Sequence, residues 1–308
     1  MSYYELKPDV YRIQAGVGSD GEIFGAIFLV DKPGILIGCS GGMDFVKSLG
    51  ALIDELDFEN KIRVYLPSVT FNEIYTANLV KRRFPDIVFY VHTSVVKEFK
   101  HPEDNFAKNR YFVNDDITKY MRKNLPVEIE DVIGFDKTGS FETAKTKILI
   151  IPFSGPHRGH SFIYSRDHKL LCAGLILGRT SNAMTYYIDL SGSFQQYESA
   201  LGFLEKAQSD IIFSAYDEPE FTSNFGYKVE NVRDAIKTDR ERILDICTLK
   251  YKKLDAITES YISLYSEKYI TDPYQIVDIQ KTKVKKHLDQ LVTEKKLIQK
   301  EDQYRLNT

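Results

Sequence analysis

Few residues in this 308-residue chain have the types and spacing to do chemistry. His157 and His160 stand three apart in "GPHRGHS", with Arg158 between them. They could supply a general base beside an anion-binding cation, or part of a metal site. Two histidines without a third ligand are also what a locally bonded loop carries. Glu73 is the second residue of the stretch "NEIYTANLVKRRF". With Asp217 and Glu218 it could form an acid–base carboxylate pair, although a carboxylate in the first turn of a helix is favoured by the helix dipole alone. Cys39, in "GCSGG", could be a nucleophile, but Ser40, Gly41 and Gly42 supply no base. That glycine-rich stretch could instead offer backbone N–H groups to an anion. The candidates are therefore Glu73, His157 and His160 for catalysis, and Cys39, Glu73, His157, Arg158, His160 and Asp217 for ligand binding. Lys281, Lys283, Lys285 and Lys286 form a basic cluster near the C-terminus that could meet nucleic-acid phosphate, or could be a solvated face.

Composition sets the frame. The chain is 43% hydrophobic and 28% charged, with net charge −3, an ordinary globular balance. The N-terminus, "MSYYELKPDV", has neither a basic n-region nor an apolar h-region, and no apolar run approaches a membrane span. Cys39, Cys172 and Cys247 are far apart and form no CxxC, which suggests reduced thiols in a cytoplasmic protein and small buried side chains. Residues 238–308 carry 14 Lys and Arg against 12 Asp and Glu, whereas residues 1–237 carry 27 against 32. A tail of charge +2 is a weak argument for nucleic acid.

The elements that must position these residues follow from periodicity. "DVYRIQAGV", "EIFGAIFLV" and "GILIG" read as strands separated by the turns "GSDG" and "DKPG". Phe45, Leu49, Leu52, Ile53 and Leu56 recur at helical spacing in residues 41–56. Strand "IRVYL", helix 72–84, strand "IVFYV" and a helix capped by Thr93 or Ser94 follow. Residues 101–125 read as a helical insertion. "VEIEDV", "SFETA", "KILIIPF", "HSFIYSR" and "KLLCAGLIL" read as strands, 193–208 as a helix capped by Ser193, and "DIIFSA" as a strand. From Thr238 three helices are predicted, the third over Lys281–Ile298 with Val284, Leu288, Leu291 and Val292 on one face. A hairpin turning at Glu301–Asp302 closes the chain. Three helices and a hairpin are the order of a winged helix, whose third helix can enter a nucleic-acid groove.

Over residues 9–220 this order resembles the metallo-β-lactamase fold. The resemblance rests on "GAIFLVDKPGILIGCSGG", "VYLPSVTFNEIYTANLVKRRFP", "KILIIPFSGPHRGHSFIYSRDHKLLCAGLILG", "SGSFQQYESALGFLEK" and "DIIFSAYDEP". It implies an α/β fold, a four-layer αββα sandwich of two mixed sheets, over residues 1–237, followed by a small winged-helix-like domain over 238–308. It also implies a site where His and Asp residues hold one or two metal ions that activate water. At the matching positions this chain has Val69, Phe71, Glu73, Ile74, Pro156, Leu175 and Ala215, and Gly38 where a supporting Asp belongs. Only Glu73 keeps an acidic oxygen, so no metal or other cofactor is expected.

The expectation is a pseudoenzyme that binds a protein, a small ligand or nucleic acid, in a regulatory role. One alternative is a hydrolase of an ester, thioester or phosphodiester with an altered, metal-independent site. Another is a nucleic-acid-binding regulator that senses a ligand. No membrane association is expected, and a homo-oligomer stays open.

Overall fold

The computed structural model describes residues 2–17, 23–102, 129–177, 186–214, 219–221, 225–264 and 273–307. The first sheet has seven strands in chain order: β1 (Ser2–Lys7), β2 (Val10–Val17), β3 (Ile23–Leu29), β4 (Gly34–Ile37), β5 (Ile62–Tyr65), β6 (Val88–His92) and β7 (Val132–Phe135). β1 to β4 pair antiparallel, and β4 to β7 run parallel. Parallel neighbours need long crossovers. Helix α1 (Gly42–Glu55) joins β4 to β5, and α2 (Phe71–Arg83) joins β5 to β6. A 3-10 turn at Thr93–Val95 leads from β6 into α3 (Val96–Lys100).

The second sheet contains β8 (Gly139–Glu142), β9 (Lys147–Pro152), β10 (Ser161–Ser165), β11 (Leu170–Gly174), β12 (Ile211–Ser214) and β13 (Glu220–Phe221), also in chain order. Its one parallel pair, β11 with β12, is bridged by α4 (Phe194–Lys206). The chain continues through α5 (Gly226–Ile246), β14 (Lys252–Lys253), α6 (Leu254–Ser263), α7 (Pro273–Thr293), β15 (Leu297–Lys300) and β16 (Gln303–Leu306). The last three strands form a small sheet ordered β14-β16-β15.

Side-chain alternation stacks these elements in four layers. On β3 and β4, Phe28 and Leu36 face α1 and α2, where Phe45, Leu49, Leu52, Ile74, Ala77 and Val80 pack on them. Their neighbours Ile27, Leu29, Ile35 and Ile37 face the second sheet and meet Ile148, Ile150, Ile163, Cys172 and Phe213. The far face of that sheet, with Phe162, Leu171 and Ile212, is covered by Tyr197, Leu201 and Leu204 of α4 and by Val229 and Val232 of α5. The layers are therefore helix, sheet, sheet and helix, the α/β sandwich expected. A fourth core joins Ile243 to Ile257, Tyr261, Val284, Leu288, Leu291 and Tyr304. One unbroken helix, α5, thus feeds both the third core and the tail core.

Several boundaries differ from the sequence expectation. α5 starts at Gly226 rather than Thr238, because its first turns cover the second sheet. α7 starts at Pro273 rather than Lys281, so the four lysines lie along the helix and not at its entrance. The segment 93–95 is capped by the side chain of His92, whose Nδ1 accepts the Ser94 N–H at 3.1 Å, and not by Thr93 or Ser94. β1 has no counterpart among the predicted strands, and the strand expected at 127–132 lies at Val132–Phe135. The expected insertion at 101–125 falls almost wholly outside the described residues. Among those residues no helix is long and apolar enough to cross a membrane.

Candidate functional site

The carboxyl ends of parallel strands in an open sheet are where loops build sites. Here the ends of β5 and β6 meet the loop between β9 and β10. The two sides are tied where the Ser161 N–H donates to the Pro67 carbonyl at 2.8 Å.

Glu73 lies in the first turn of α2 and is buried. Its Oε2 accepts the Thr70 N–H at 2.7 Å, and Oε1 accepts the Ser68 hydroxyl. The carboxylate ties down the turn that starts its own helix. The spacing Thr70-x-x-Glu73 is the sequence signature of this arrangement and could have revealed it.

His157 and His160 come together, with ring centroids 5.6 Å apart, and both are buried. His157 Nδ1 donates to the Arg158 carbonyl at 2.8 Å. His160 accepts the Leu175 N–H at Nε2 (3.0 Å), so its Nδ1 carries the proton and donates to the Phe153 carbonyl at 3.2 Å. Its imidazole therefore joins the loop to the end of β11. Gly174, at φ +57°, makes room for the ring: a Cβ there would lie 2.4 Å from His160 Nε2.

Arg158 pairs with Glu98 of α3, whose carboxylate is buried, while its own side chain stays 44% exposed. Its N–H donates to Ser191 Oγ at 3.0 Å. Cys39 is buried after β4, and burial together with the Glu73 carboxylate pushes its thiol pKa well up, which disfavours a thiolate nucleophile. Asp217, Glu218 and Ala215 lie outside the described residues.

Sequence reasoning missed one pair near this mouth. Ser94 Oγ lies 2.7 Å from His92 Nδ1, on the turn after β6. Burial and the nearby Arg158 cation lower the His92 pKa, while Asp136 opposes them. The neutral ring can accept the serine proton. Histidine and serine two residues apart carry no distinctive sequence signal.

The tail lysines do not form one exposed face. Lys283 is buried, 3.4 Å from Asp239 and 4.2 Å over the Tyr186 ring. Lys286 is partly buried and donates to the Leu190 carbonyl at 3.3 Å. Lys281 pairs with Asp255 at 2.6 Å, and Lys285 with Asp289. The reading of the four lysines as one cluster facing phosphate or solvent does not hold for Lys283, because α7 turns it towards Asp239 on α5.

Two solved structures match nearly the whole chain. A metallo-beta-lactamase family protein from Thermus thermophilus is similar at TM-score 0.74 and 12% identity, over 98% of this chain and 100% of that one. A beta-lactamase domain protein from Burkholderia ambifaria is similar at TM-score 0.76 and 12% identity, over 99% and 93%. The fold is that of the metallo-β-lactamases. A metallo-beta-lactamase from Pontibacter korlensis matches at TM-score 0.55 and 9% identity, over 76% of this chain and 99% of that one. No protein-family description matches the sequence, and no curated protein matches it.

Among the described residues, the positions that the resemblance matches to metal ligands do not fit a metal. Val69, Ile74 and Leu175 are at most 2% exposed, and Val69 and Ile74 belong to the core under α1 and α2. Phe71 is partly buried against the same core and stacks on Tyr75. Pro156 is buried, and Gly38 has no side chain. Glu73 and His160 hold main-chain groups. Among the described residues no three His, Cys, Asp or Glu side chains converge as a metal would need.

Proposed function

We propose that this chain is a pseudoenzyme of the metallo-β-lactamase fold that acts by binding a protein or small ligand in a regulatory role. Residues 1–237 would carry the binding mouth, and residues 238–308 would form a winged-helix-like module. The observation that carries this reading is the use of the mouth's polar groups. Glu73 and His160, the residues best placed to serve a metal or a reaction, are both spent on main-chain hydrogen bonds, and Val69 and Ile74, at two of the matching positions, are packed in the core with Phe71 against them. The groups that face outward there, Arg158 among them, suit recognition of a partner.

The test is metal content and stability together. Protein purified without chelator should contain substoichiometric zinc, iron or manganese, and added zinc should leave its unfolding midpoint unchanged. One or two metals per chain, lost on Glu73→Gln, would overturn the proposal.

A second reading, a metal-independent hydrolase of an ester or thioester, is favoured by the 2.7 Å contact between Ser94 Oγ and His92 Nδ1. A fluorophosphonate probe should then label Ser94, and His92→Gln should abolish the labelling. An unlabelled Ser94 rules this reading out. The nucleic-acid-sensing alternative is weakened by the pairing and burial of the α7 lysines.

A further inference from the structure

The tail and the candidate mouth are linked by a set of buried and partly buried polar contacts. α7 supplies His287, Lys283 and Lys286. The Tyr186 hydroxyl donates to Asp239 Oδ2 on α5 at 2.8 Å, so His287 Nε2 must carry the proton that it shares with the Tyr186 oxygen at 2.7 Å. The ammonium of Lys283 closes this group against Asp239 and the Tyr186 ring. The His287 ring also packs on Phe194, with centroids 4.5 Å apart. Tyr186, Asp239, Lys283 and His287 are all buried, which makes each lost contact costly.

Tyr186 starts the segment that runs to α4, and that segment lies along the loop bearing the two histidines. The Asp189 N–H donates to the Pro156 carbonyl at 2.9 Å, and the Ser193 N–H to the Gly155 carbonyl at 2.9 Å. Arg158 N–H donates to Ser191 Oγ at 3.0 Å, and that hydroxyl donates to Asp189 Oδ1 at 2.6 Å. Lys286 holds the same segment from the tail side, through the Leu190 carbonyl.

We infer that α7 positions the His157–His160 loop through Tyr186 and residues 186–193, so that the tail and the mouth behave as one conformational unit. Tyr186, Lys286 and His287 are positioning residues in this unit. Coupling of this kind is reciprocal. A partner that draws α7 away from the body loosens the loop, and a ligand that fixes the loop tightens the docking of α7. The inference holds whether or not the mouth binds a ligand, so its test is independent of the binding proposal.

The experiment is hydrogen exchange on the full chain, comparing the unaltered protein with Tyr186→Phe and Lys286→Met. In both variants the amides of Arg158, Asp189 and Ser193 should exchange several-fold faster, while those in α1 and α2 keep their protection. Tyr186→Phe removes the hydroxyl shared by Asp239 and His287. Lys286→Met removes one hydrogen bond and keeps most of the side chain, so it reports even if the first variant folds poorly. Acceleration confined to α5, α6 and α7, or uniform acceleration through α1 and α2, overturns the inference. So does an unchanged loop in Lys286→Met.

Discussion

His160 and Leu175 meet across the mouth of the site, where the imidazole Nε2 accepts the Leu175 N–H at 3.0 Å. Leu175 stands where the resemblance places a bridging aspartate. The contact joins the loop between β9 and β10 to the end of β11. Removing His160 leaves the Leu175 N–H and the Phe153 carbonyl without their partner in a buried setting. His160→Ala should therefore destabilise the chain by about 2–4 kcal/mol, from unmet hydrogen bonds and the space left behind. Denaturant titration checks it, and a loss below about 0.5 kcal/mol, the range of a neutral surface change, would contradict the structural role given to this ring.

Glu73 yields a cap prediction. Its carboxylate accepts the Thr70 N–H at 2.7 Å in the turn that begins α2. Glu73→Ala should cost about 1–2 kcal/mol, in the range of a lost helix cap with a buried donor exposed. Glu73→Gln, which keeps one acceptor oxygen, should lose less. An equal loss in the two variants, measured by urea titration, would mean that the charge matters more than the bond.

Much of the sandwich was legible because its strands and helices announce themselves locally. The apolar run "EIFGAIFLV" describes a strand covered on both faces, with Ala26, Ile27, Phe28 and Leu29 all buried, and the helical spacing of Phe45, Leu49 and Leu52 describes one face of one helix. The capping role of Glu73 is written in the spacing of "TFNE", but the expectation for that carboxylate was the helix dipole alone. What was not legible depends on contacts distant in sequence. The early start of α5 at Gly226 reflects the second sheet that its first turns cover. The burial of Lys283 requires Asp239 and Tyr186, which lie far from it along the chain. Nothing local in "KTKVKKH" distinguishes the buried lysine from its partly exposed neighbours.

Histidines placed at the apolar positions of the mouth should not create a metal site. Ile74, on α2, is fully buried in the core between the helices and the first sheet, and Phe71 packs on the same core. Ile74→His should destabilise by about 1–3 kcal/mol, because a polar ring would be buried without partners. Combined with Phe71→His it should confer no zinc-dependent rise in the unfolding midpoint. A zinc-dependent rise would show that the mouth retains the geometry of a metal centre.

His287 gives the chain a specific acid sensitivity. Burial brings its pKa down from 6.5 to about 3, partly opposed by Asp239, and its ring has no solvent exposure. The folded state therefore resists a proton that the unfolded chain accepts readily. Below pH 6.5 the unfolded state binds more protons at this site, so stability falls as pH falls, until the folded form itself titrates near pH 3. Across that window this one group costs up to about 1.4 kcal/mol per pH unit, since a one-unit pKa shift corresponds to that energy. His287→Phe removes the titration and keeps an aromatic ring against Phe194, at the expense of the bond to Tyr186. The variant should be less stable than the unaltered chain at pH 7.5. Its loss of stability between pH 6.5 and pH 4 should be shallower. Urea titrations at a series of pH values measure both effects. Parallel curves for the two proteins would show that His287 is charged, or reached by water, in the folded state.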